Sequence, residues 1–188
     1  FPKKATLLDL YSRSVNTQRP LSVVIDEIAP WSADQLEPIG DICRGYVNRK
    51  RTLGLVDFDD LLLYWRAAAA DDRLGPQLAA EIDHICVDEY QDVNALQVDV
   101  LRALRRTDPR LTVVGDDSQA VYGFRGASPR HLLDIEKVFP SITTVLLDRN
   151  YRSVQPILDV ANAITKAAPG GSMTRPHLAI PERPRPTM

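Results

Sequence analysis

The chain has 188 residues, enough for one domain and part of a second. With 44% hydrophobic and 26% charged residues it has an ordinary globular composition, which sets aside disordered and collagen-like classes, and no run approaches the roughly 20 apolar residues of a membrane span. Lys and Arg total 23 against 25 Asp and Glu, so a nucleic-acid contact would have to come from a local basic patch rather than from global charge.

From Leu7 to about Trp65 the apolar residues recur at helical spacing. Leu21, Val24, Ile25 and Ile28 follow the i, i+3, i+4, i+7 rule, and Pro20 stands where a helix start can spare an N–H. Ser32 is expected to cap a longer helix with Leu36, Ile39, Ile42, Cys43, Tyr46 and Val47 on one face. That helix ends in Asn48, Arg49, Lys50 and Arg51, whose charges suit a helix C-terminus. Asp57 caps the next, with Phe58, Leu61, Leu62 and Trp65 expected to face inward. Cys43 and Cys86 each lie in an apolar run, which reads as two buried thiols in a reducing compartment, the cytoplasm, rather than a disulfide.

At His84 the pattern changes to short apolar runs separated by helices. Residues 85–87, 111–114 and 143–147 read as buried strands, with helices near 95–106 and 129–138 between them, a βαβαβ rhythm that implies a parallel sheet. A further helix is expected over 154–166. From Pro169 onward five prolines fall in 20 residues, and the segment reads as an extended or flexible tail.

Three constellations could carry chemistry, each at a strand end. The first is Val87, Asp88, Glu89, Tyr90, Gln91, Asp92. Open α/β sheets bind ligands beyond the carboxyl ends of their strands, so adjacent carboxylates there can divide labour, one holding Mg²⁺ and the other orienting a water. The bland alternative is a pair of solvated loop acids, with Asp92 capping the helix that starts near Val93. The second runs from Val114 through Gly115, Asp116, Asp117, Ser118, Gln119, Ala120, Val121, Tyr122, Gly123, Phe124, Arg125 and Gly126 to Ala127. It joins a phosphate-sensing glutamine to two aromatics and an arginine able to stack on and pair with single-stranded nucleic acid, although Tyr122 and Phe124 would serve equally as core packing. The third is Asn150, Tyr151, Arg152, Ser153, where Tyr151 could stack on a base, Arg152 could neutralise a phosphoryl group and Ser153 could cap a helix.

Together and in this order the three resemble the superfamily 1A DNA helicases of the UvrD, Rep and PcrA type. Val-Asp-Glu-Tyr-Gln-Asp looks like motif II, Val114 to Ala127 like motif III and Leu147 to Ser153 like motif IV; the run Asp57 to Leu62 also matches the stretch ahead of motif II. The resemblance implies an ATP site and a DNA track. Asp88 would hold the Mg²⁺ of Mg-ATP, Glu89 would activate the attacking water, and Gln119 would report the γ-phosphate. Tyr151 would stack on adenine and Arg152 would reach the γ-phosphate, while Tyr122, Phe124 and Arg125 would face single-stranded DNA or a DNA junction. It further implies an α/β fold: a helical 1B-like region over 1–56, a partial RecA-like P-loop NTPase core over 57–153, and an entry into 2A with a Pro-rich tail over 154–188.

The family's phosphate loop ends in Gly-Lys-Thr or Gly-Lys-Ser, yet none of the five lysines here follows a glycine. With Phe1 rather than Met at its start, the chain therefore reads as an internal fragment of an ATP-dependent 3′ to 5′ helicase acting in repair or replication. By itself it would be inactive, and its sheet, lacking the phosphate-loop strand, would favour self-association. Two other readings are the helicase subunit of a helicase-nuclease complex and a non-hydrolysing single-strand-binding module.

Overall fold

The computed structural model describes residues 1–123 and 126–167, together with the backbone of 178–179. The chain up to Ala80 is helical: α1 (Lys4–Thr17), α2 (Leu21–Ile28), a 3-10 segment (Pro30–Gln35), α3 (Leu36–Leu53), α4 (Phe58–Ala70) and α5 (Leu74–Ala80). A βαβ unit follows, in which β1 (Ile85–Val87) leads through α6 (Ala95–Leu104) to β2 (Leu111–Val113). The short helices α7 (Arg130–Leu133) and α8 (Ile135–Val138), the strand β3 (Arg149–Asn150), α9 (Gln155–Ala167) and β4 (Leu178–Ala179) complete the order.

Local chemistry explains several boundaries. Asp57 caps α4 in a reciprocal capping box with Asp60, as its position in the sequence implies, and Asn94 caps α6 in the same way with Gln97. Asp92, the cap offered for that helix in the bland reading, instead ends a 3-10 turn over Tyr90–Asp92. Helix α3 stops where Gly54 adopts the left-handed conformation (φ 63°) and its N–H returns to the carbonyls of Arg51 and Lys50. Ser32 does not cap α3: it lies in the 3-10 segment, buried, with its hydroxyl donating to the Ala29 carbonyl. The stretch 129–138 is two helices rather than one, because Asp134 leaves helical geometry between them. Likewise α9 begins at Gln155, so Ser153 is not its cap. Its N–H and that of Arg152 both donate to Asn150 Oδ1 in a turn.

Strands β1 and β2 pair in parallel, Ile85 with Leu111, Cys86 with Thr112 and Val87 with Val113, and β3 pairs in parallel with β4. The architecture is α/β, mostly helical, with two separate two-stranded parallel sheets among the described residues. The third strand expected over 143–147 is absent, and Val145 and Leu147 stay exposed. A strand needs a neighbour to take its backbone hydrogen bonds, and among the described residues none is offered there. Cys86 is also exposed, contrary to the buried thiol expected, because it points to the uncovered face of β1, whereas Cys43 is half-buried.

Buried side chains gather in three clusters. Leu10, Val24, Ile25, Ala29 and Ile39 form one within the helical region. Tyr90, Val93, Val98 and Ile135 form a second beneath the ends of β1 and β2, and Ala69, Val100 and Leu104 form the third where α4 meets α6. Two expected faces pack otherwise than their periodicity implies. On α4 the residues Phe58 (88% exposed), Leu61 and Trp65 face outward while Asp60 and Ala69 are buried; on α3 Leu36, Ile42 and Tyr46 remain exposed around buried Ile39. The reason Asp60 is buried is ionic. Lys50, in the last turn of α3, reaches Asp57 Oδ2 and Asp60 Oδ2, each at 2.6 Å, and its ammonium lies 4.6 Å from the Tyr46 ring centroid and 5.3 Å from that of Tyr11. Burial opposes the Lys50 charge, but hydrogen bonds to both carboxylates outweigh it and raise its pKa.

Candidate functional site

The chain leaves β1 through Asp88 and Glu89 and leaves β2 through Val114, Gly115 and Asp116, so the two loops lie side by side at the carboxyl ends of parallel strands. Backbone hydrogen bonds extend the pairing past the strands: the Val114 N–H donates to the Val87 carbonyl (2.8 Å) and the Tyr90 N–H to the Val114 carbonyl (2.9 Å). Between these loops opens a cleft of about 540 Å³, lined by Asp88, Glu89, Gly115, Asp116 and Gln119 together with Thr143, Val145, Leu146, Leu147 and Asp148. Asp88, Glu89 and Gln119, singled out from sequence as parts of one site, therefore share one cavity.

Each is held by local bonds. Asp88 Oδ1 accepts the Glu89 N–H at 3.0 Å. Glu89 itself is in the left-handed region (φ 51°, ψ 44°), one of two non-glycine residues so placed among those described, and that conformation costs about 1–3 kcal/mol. Gln119 closes a 3-10 turn over Asp117–Gln119 and donates from Nε2 to Asp116 Oδ2 at 2.7 Å, while Asp116 Oδ1 accepts the Ser118 N–H. Asp88 suits Mg²⁺, which takes one or two protein carboxylates and completes its shell with phosphate oxygens and water. Among the described residues no cluster of three or more His, Cys, Asp or Glu forms a dedicated metal cage.

The other sequence candidates sit elsewhere. Tyr122 is 41% exposed on the loop after Gln119, near α1, where the Arg13 guanidinium donates to the Gly123 carbonyl. Helix α1 supports that loop a second way: Gly126 (φ 79°) lies so near Thr17 that an added Cβ would come within 2.8 Å of the threonine methyl. Phe124 and Arg125 lie outside the described residues. Tyr151 is 83% exposed, and neither it nor Arg152 lines the cleft, whose wall stops at Asp148. A second cleft, lined by Arg102, Arg105, Arg106 and Phe139, contains none of the motif residues.

Sequence reasoning left several residues of this site without a role. Gln91, in the middle of the first constellation, is 1% exposed and bridges the two loops: its Nε2 donates to Glu89 Oε2 (2.6 Å) and its Oε1 accepts the Asp116 N–H (3.0 Å). Asn94 Nδ2 donates to Asn16 Oδ1 on α1, and Asn16 Nδ2 donates to Asp59 Oδ1 on α4, which ties both helices to the motif II loop. Amide side chains inside a motif are the one signal that could have pointed to such links, because a buried amide demands partners on both sides.

The chain is similar to the ATP-dependent DNA helicase UvrD2 of Mycobacterium tuberculosis, 45% identical over 142 residues that cover 75% of this chain and 20% of that protein. It is similar also to the ATP-dependent DNA helicase PcrA of Leuconostoc citreum, 38% identical over 68% of this chain and 17% of that protein. With the putative ATP-dependent DNA helicase YjcD of Bacillus subtilis it shares 35% identity over 64% of this chain and 16% of that protein. The chain thus spans about a fifth of the length of such relatives. Among the described residues no helix is long and apolar enough to cross a membrane. Residues 7–140 match the UvrD/REP helicase N-terminal domain, and the chain belongs to that family.

Proposed function

We propose that this chain is part of the motor of an ATP-dependent DNA helicase that moves 3′ to 5′ on single-stranded DNA in repair or replication. Residues 1–56 would form a 1B-like helical part, 57–153 part of a RecA-like core and 154–188 the entry into a second motor domain. The observation that carries this reading is the convergence of Asp88, Glu89 and Gln119 on one cleft at the ends of two parallel strands. Glu89 takes the proton of the attacking water, and Gln119 reads whether a γ-phosphate is present. Asp88 would hold Mg²⁺, which when bound neutralises phosphate charge. Tyr122, Phe124 and Arg125 follow Gln119 within six residues, so a change at the phosphate end of this loop moves the stacking end. Tyr151 and Arg152, outside the cleft, act on the nucleotide only when the second motor domain closes over it.

None of the five lysines follows a glycine, so in this reading the phosphate-loop contacts, and with them hydrolysis, come from a longer helicase. The test is made in that full-length protein. Glu89→Gln should keep nucleotide binding and slow turnover by at least about a hundredfold, the scale of a lost general base, whereas Asp88→Ala should weaken Mg-ATP binding. Equal loss of binding in both variants would overturn this division of roles.

A further inference from the structure

We propose that Gln91 is a positioning residue that sets the Glu89 carboxylate and ties it to the loop carrying Gln119. The proposal rests on the hydrolytic reading of Glu89. Its basis is a continuous chain of hydrogen bonds. The Gln91 amide donates to Glu89 Oε2 and accepts the Asp116 N–H, and the Asp116 carboxylate accepts the Gln119 amide. Three links therefore run from the carboxylate that activates water to the side chain that reads phosphate.

The residue type follows from the geometry. A carboxylate demands a donor and a backbone N–H demands an acceptor, and the glutamine amide offers both at the ends of one flexible side chain. Those two partners also fix which end is nitrogen. Glutamate would offer acceptors alone, lysine donors alone and methionine neither. The surroundings are fitted to this side chain. It is 1% exposed and packs closely on Gly115, where an added Cβ would stand 2.8 Å from Gln91 Oε1 and 3.2 Å from the Gln91 backbone nitrogen, so a larger residue there would push on the amide. Glu89 meanwhile holds a left-handed backbone that its own residue type disfavours, and strain of that kind persists only where neighbours over-determine it. The buried Gln91 amide is one such neighbour, fixing the carboxylate on the cleft wall while the Tyr90 N–H anchors the adjoining backbone to Val114.

A glutamine that merely braced the two loops would affect stability and leave the chemical step alone. In the full-length helicase, Gln91→Met keeps the volume and loses both bonds. Gln91→Glu keeps the acceptor for Asp116 but sets a carboxylate against Glu89. Both should leave the KM for ATP within about threefold and lower kcat at least tenfold, the pattern of an interaction needed in the transition state. A kcat within twofold of wild type for both variants overturns the proposal, as does a fall in kcat no larger than the loss of folded protein. Glu89→Gln, run beside them, separates the two ideas. If it leaves turnover intact, the hydrolytic reading fails; if it abolishes turnover while both Gln91 variants keep it, only the Gln91 assignment fails. A readout without nucleotide uses this chain: the Gln91 side-chain amide protons should exchange slowly by NMR and lose that protection in Glu89→Ala. Fast exchange in the wild-type chain would also overturn the bridge.

Discussion

Replacing Lys50 by methionine removes one charge from a nearly closed ionic cluster and keeps most of the side-chain volume. In the wild-type chain the Lys50 side chain, 9% exposed, brings its ammonium to 2.6 Å from both Asp57 (side chain 26% exposed) and Asp60 (12% exposed). Both acids also form the capping box of α4, so neither can turn away to water without uncapping the helix. Breaking a buried pair from one side costs about 3–5 kcal/mol, and the partial exposure of Asp57 favours the lower end, about 3 kcal/mol. That is a large share of the roughly 5–15 kcal/mol that holds a domain together. The loss should depend on pH with a definite sign. Burial pushes the Asp57 carboxyl up, but the Lys50 ammonium, the Asp60 N–H and the Tyr46 hydroxyl outweigh it and hold the group below its ordinary 3.8. A depressed carboxyl contributes stability that is complete above the unfolded value and disappears as pH falls through the folded one. The gap between wild type and Lys50→Met should therefore be full at pH 7 and narrow below about pH 4. Urea unfolding followed by far-UV circular dichroism at pH 7, 5 and 3 measures it. A cost under about 1 kcal/mol at pH 7, or a gap independent of pH, would refute the ionic account of this junction.

Three further outcomes are expected. The isolated chain should release no phosphate from ATP, even with DNA and Mg²⁺; steady DNA-stimulated release that Glu89→Gln abolishes would contradict the need for a separate phosphate loop. Tyr122→Ala in the full-length helicase should weaken single-strand binding roughly five- to 150-fold, the equivalent of about 1–3 kcal/mol of base stacking, and spare basal hydrolysis. A large fall in melting temperature with unchanged DNA affinity would assign that ring to packing instead, and Phe124→Ala is measured in the same way. Among the described residues β2 pairs with β1 alone, and Val114, Val145 and Leu147 are exposed nearby, so the isolated chain should self-associate as its concentration rises. Sedimentation of a compact monomer at high concentration would count against it.

Much of the site was legible in the residues themselves. Short apolar runs at 85–87 and 111–113 mark two strands, which the fold leaves only half-buried and not buried as expected, and parallel strands put their following loops on one edge, where Asp88, Glu89 and Gln119 share a cleft. The capping box at Asp57 is likewise a local property, carried by four consecutive residues. What the chain could not announce was every feature that depends on a distant partner. Residues 143–147 have strand-like side chains, but a ladder exists only where a neighbour supplies its other half. The helical periodicity of α4 marks an apolar stripe, yet the pull of Lys50 from α3 decides that Asp60 turns in while Phe58 stays in water. Tyr151 and Arg152 fall outside the cleft because the turn at Asn150 carries the chain away from its wall. Gln91 stood in plain sight within its motif, but its partners are two residues away on one side and 25 on the other. Only the tertiary pairing of β1 with β2 brings those two within reach of a single amide, because sequence fixes which groups a side chain offers while the fold decides which groups it meets.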